Sequence, residues 1–106
     1  EKNMIKPPLS KLVDDVIEWH YDRNLIDGST DKDQYLKLLE EVFELQYNIM
    51  HKQDVADDIG DIMVVLINIA ERNGLTLEQC LEHAYNDIKD RKGVMRDGIF
   101  HKDELA

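Results

Sequence analysis

Residues 54–68 read DVADDIGDIMVVLIN. At about 100° per residue, Asp54, Asp57, Asp58, Asp61 and Asn68 fall on one stripe of a helix. From Ile62 to Ile67 every side chain is apolar. That run is far short of the roughly 20 residues a membrane span needs, so it reads as a helix buried on most sides. Asp61 then stands at the mouth of a core, with Asp58 one turn earlier. Gly60, between them, permits close approach of a backbone or a ligand.

The segment upstream repeats the design. In Lys37-Leu-Leu-Glu-Glu-Val-Phe-Glu44, Lys37, Glu41, Glu44 and Asn48 share a narrow arc, with Glu40 at its edge. Leu38, Val42, Leu45 and Ile49 border that arc on one side. Leu36, Leu39, Phe43, Tyr47 and Met50 border it on the other. An ordinary surface helix has a wide polar face instead. The link between the two segments is short, which predicts antiparallel neighbours with Glu41 and Glu44 facing Asp58 and Asp61. Four carboxylates in one cleft repel, and either their pKa values rise or a cation neutralises them. An all-oxygen set suits a hard ion, Mg²⁺ or alternatively Mn²⁺.

The rest of the chain extends this helical pattern. Residues 1–9 read as an N-terminal arm, and Ser10 is the expected cap of a first helix running to about Arg23. Asp27-Gly28 signals a turn. Thr30 or Asp31 caps a second helix to about His51, and a third runs from about Asp54 to Asn73-Gly74. Thr76-Leu-Glu-Gln79 is a capping box opening a fourth, whose apolar side is Leu77, Leu81, Ala84, Tyr85 and Ile88 and whose end is expected near Lys92-Gly93. Residues 93–106 read as a tail in which Asp97-Gly98 fits a small hairpin or an extended segment equally well. The expected architecture is one all-α domain over residues 1–106, a bundle of four to five helices.

With 23 acidic and 13 basic side chains the formal charge is −10, which argues against a nucleic-acid-binding surface. Cys80 is the lone cysteine and cannot form an internal disulfide, so a reducing, cytoplasmic setting is expected. No signal-peptide or membrane-spanning pattern is present. One copy of four helices offers too few neighbours to cover Ile62–Ile67 and both flanks of the second helix, so a homodimer or a dimer of dimers is expected.

Glu40-Glu41-x-x-Glu44 followed by Asp58-x-x-Asp61 and an apolar helix resembles the MazG-like all-α nucleoside triphosphate pyrophosphohydrolases, from about Trp19 through Lys92. Asp58 stands where that family more often has glutamate. The resemblance implies the family's helical fold and Mg²⁺-dependent hydrolysis of a nucleoside triphosphate between its α- and β-phosphates, to a monophosphate and pyrophosphate, in nucleotide-pool cleansing. Glu41, Glu44, Asp58 and Asp61 are then metal ligands, and Glu40 orients or deprotonates water or is a plain surface glutamate. Asn86, Lys89, Arg91 and Lys92 resemble the family's phosphate-binding segment, although cations also favour helix C-termini through the dipole. Lys37 is a phosphate ligand or an i,i+4 partner of Glu41. Trp19 stacks on a base or packs in a core or interface, and Asn68 reads a base or ribose or bonds between helices. Two other readings remain: a narrower pyrophosphohydrolase for dUTP, dCTP or phosphoribosyl-ATP, and a non-catalytic acidic helical module that binds a partner protein.

Overall fold

A computed structural model describes residues 6–103; the outer part of the expected N-terminal arm, residues 1–5, and the end of the tail, 104–106, lie outside the described residues. Four helices come first: α1 (Leu9–Asp22), α2 (Asp31–Met50), α3 (Ala56–Arg72) and α4 (Leu77–Ile88). An antiparallel hairpin, β1 (Gly93–Arg96) and β2 (Ile99–Lys102), follows.

Local chemistry explains the borders. Thr30 and Asp33 bond reciprocally at the start of α2, and Thr76 and Gln79 do so at α4; each box satisfies two orphan amides of a first turn. α1 departs from the expected start. Ser10 lies within it, and Pro8 precedes Leu9 without any side-chain cap. Pro8 serves through its carbonyl, which accepts from the Leu12 amide. α3 begins at Ala56, whose amide donates to the Asp54 carboxylate, so Asp54 bends the entry instead of joining the helix. Gly74, at φ +72°, closes the turn after α3. α4 stops at Ile88, earlier than expected, because Lys92 is drawn into the hairpin and its carbonyl accepts from the Asp103 amide. Asp97 and Gly98 both have positive φ, the two-residue turn that matches strand twist.

α3 is the central element, packing on α2, α1 and the start of α4. Among the described residues the buried apolar ones are Val13, Ile26, Val65, Ile67 and Ala70. The expected burial of the whole Ile62–Ile67 run is not completed within one chain: Ile62, Met63 and Val64 are half-buried and Leu66 is exposed. Only α1 and α2 flank that run, and two neighbours cannot enclose a cylinder. Among the described residues Gly60 likewise has no neighbouring atom within 4 Å of where a Cβ would be, so no close approach among them uses its missing side chain.

A polar network ties α3 to the loop between α1 and α2. Asn68 is fully buried; its amide donates to the Leu25 carbonyl at 2.9 Å and to His20 Nδ1 at 3.2 Å. His20 Nε2 lies 2.9 Å from the Val64 carbonyl. A carbonyl only accepts, so Nε2 carries the proton and Nδ1 is the acceptor. Arg72 donates to Asn68 Oδ1 and to the carbonyls of Leu25, Ile26 and Ser29. This network fixes α1 against α3 and thereby positions the site.

Candidate metal centre and adjoining cleft

Asn48 of α2 donates to Asp58 of α3 at 2.8 Å, and Glu41 and Glu44 lie beside Asp61. The two helices therefore run antiparallel with their polar stripes face to face. One carboxylate oxygen from each of Glu41, Glu44 and Asp61 lies within 4.8 Å of the other two. These three come from the expected set of four. Asp58 adjoins them, buried and held by Asn48, and its charge contributes to holding Glu44 and Asp61 above their ordinary values.

Glu41 is the most demanding member. It is 6% exposed, and its Oε1 meets no hydrogen-bond donor among the described residues. Its carboxylate lies against that of Asp61. Two acceptors facing each other need a proton or a cation between them. Lys37 neutralises part of this charge, with Nζ 3.2 Å from Glu41 Oε2 and 3.6 Å from Glu40. That pairing raises the lysine pKa. The strain on the acids remains. Asp61 is pushed above the usual aspartate value, first by burial and then by Asp57, Glu41 and Asp58. Glu44 is pushed up chiefly by the Glu41 charge. A buried acceptor without a donor, three converging oxygens and too little positive charge together fit a hard divalent cation.

Asp61 also lines a cleft of about 450 Å³ between α1 and α3, with Leu12, Asp15, Val16, Trp19 and Val64. Trp19 is 43% exposed, and the Arg23 guanidinium lies 4.5 Å from its ring centroid. The remaining expected site residues are placed elsewhere. Asn68 is enclosed in the core, with both amide donors and its carbonyl oxygen engaged. Asn86, Lys89, Arg91 and Lys92 are exposed at the far end of α4, and none of them lines this cleft. Glu40 is exposed and pairs with Lys37.

The sequence assigns no partner to Asn48, Arg23 or Arg72, which the structure sets on Asp58, Trp19 and Asn68. Asn48 does share the Glu41 stripe, and that was the available signal. Arg72 bonds to carbonyls more than 40 residues earlier, which no local pattern reveals.

No protein-family model and no solved structure matches the chain. Over 67 residues, 61% of this chain, it is 40% identical to an uncharacterized 18.2 kDa protein from the rep-hol intergenic region of Haemophilus phage HP1, of which the match covers 41%. The chain is thus similar to part of a longer phage protein.

Proposed function

We propose that the chain is a Mg²⁺-dependent nucleoside triphosphate pyrophosphohydrolase that works as a homodimer or a dimer of dimers. One observation carries this reading: Asp61 belongs both to the carboxylate triad and to the apolar cleft beside Trp19. A ligand with a flat apolar end and a polyanionic end suits that junction, and a nucleotide has both.

Glu41, Glu44 and Asp61 would hold the ion, with Asp58 beside them. Bound there, it would supply neutralisation of phosphate charge and acidification of water. The cleft receives the base against Trp19, whose ring is already held by Arg23. Lys37, in contact with the acids, is placed to exchange Glu41 or Glu40 for a phosphate oxygen. Water attacks the α-phosphorus, the bond to the bridging α–β oxygen breaks, and pyrophosphate leaves. The water proton passes to Glu40, the neighbour of Glu41 that shares Lys37 with it.

The test is pyrophosphate release from a panel of standard and modified triphosphates, with and without Mg²⁺. Release should require the ion and fall at least about 100-fold in Glu41→Gln, as expected for loss of an electrostatic contact at the reacting centre, with helicity retained. No release from any triphosphate, with stability indifferent to Mg²⁺ and Mn²⁺, would instead favour the acidic interaction module.

A further inference from the structure

α4 and the hairpin bury almost nothing. Every residue from Glu78 to Lys92 is exposed, although Leu77, Leu81, Ala84, Tyr85 and Ile88 form a continuous apolar stripe. Leu81, Tyr85 and Ile88 are 65%, 58% and 51% exposed. The hairpin strands pair with each other, and no comparable contact joins them to α1, α2 or α3. Val94, Met95, Ile99 and Phe100 stay exposed on its two faces. A lone two-stranded hairpin is at best marginal in water, yet this one is well formed: at Gly93 the Phe100 ring and the His101 carbonyl occupy the space of a Cβ.

A second unpartnered surface has the complementary character. Leu36, Phe43, Tyr47 and Met50 form a stripe along α2, at 50%, 64%, 60% and 69% exposure. It is about 21 Å long, close to the roughly 18 Å of α4. The charges match as well. Residues 89–102 hold five basic and two acidic side chains, and on α2, outside the carboxylate cluster of Glu41 and Glu44, Asp31, Asp33 and Glu40 are exposed. α4 cannot reach the stripe of its own chain, because the short Asn73–Thr76 turn holds its start on α3.

We infer that α4 and the hairpin form an exchange arm that docks on the α2 stripe of a second copy, with its basic end against the acids of that helix. The inference rests on the self-association proposed above and adds the surfaces that make it. A two-fold arrangement satisfies both copies at once, each giving an arm and receiving one. The area agrees. The chain exposes 8790 Å², against roughly 6,100 Å² for a compact monomer of this mass. The excess over two chains matches the 2,000–5,000 Å² or more that obligate dimers bury.

Sedimentation equilibrium of the full chain tests this, using Leu81→Asp on the arm and Phe43→Asp on the receiving stripe, with circular dichroism to confirm that both stay helical. Both residues are exposed in one chain, so neither change disturbs its core. The wild type should be dimeric at micromolar concentration, and each variant should dissociate at least tenfold more readily. Mixing the two variants should restore association, since the intact arm of one fits the intact stripe of the other. A monomeric wild type would overturn the arm together with the proposed self-association. A dimer unaffected by either substitution, or a mixture no tighter than the variants alone, would overturn the arm and leave self-association standing.

Discussion

Asp61 is where opposing demands on one side chain meet. It is partly desolvated, faces Glu41, and also lines an apolar cleft. Its raised pKa has a direct consequence for stability. Between the unfolded value near 3.8 and the higher folded one, the native protein holds a proton that the unfolded chain has lost. The metal-free fold therefore loses stability as pH rises through that window, and Glu44 adds the same trend above 4.5. Asp61→Asn should accordingly raise the melting temperature of the metal-free protein at pH 7, with the gain vanishing under acid conditions where Asp61 is protonated anyway. Mg²⁺ or Mn²⁺ should raise the wild-type midpoint and leave the variant unmoved. Scanning calorimetry at two pH values, with and without the ions, reads both effects. A metal-free variant less stable than wild type would mean that the acid is structural.

Among the elements, α3 depends on one residue in its last turn. Arg72 has 10% of its side chain exposed and spans the loop between α1 and α2 through its bonds to Leu25, Ile26 and Ser29. Arg72→Ala leaves the Ser29 carbonyl and Asn68 Oδ1 without their donor and takes one of two donors from Leu25 and Ile26, and should cost about 2–3 kcal/mol, read as a lower urea midpoint at unchanged slope. These contacts also show what the sequence could not tell. The cap at Thr30, one of two candidates there, and the capping box at Thr76 were legible because each is closed within four residues, and so was the stripe that put Glu41, Glu44 and Asp61 together. The Arg72 network was not, since it joins groups brought close only by folding; in sequence this arginine looks like an ordinary dipole partner. Ser10 misled for a related reason: a capping residue type is no cap when the preceding Pro8 already starts the helix.

At the scale of the whole molecule, the radius of gyration is 16.7 Å, against roughly 13 Å for a compact chain of this length. The proposed contact of α4 and the hairpin with a second copy would pair a basic end with an acidic helix, so raising NaCl from 50 mM to 500 mM should weaken the dimer in sedimentation without unfolding the protomer. Salt-strengthened association would assign the contact to apolar area alone. The position of Asp61 has a last consequence. Because one carboxylate borders both the acid cluster and the apolar cleft, a cation in the one and a ligand in the other, as proposed, would each be felt at the other place. Thermodynamic reciprocity then requires that a cation change the affinity of a cleft ligand by the same factor as that ligand changes the affinity of the cation.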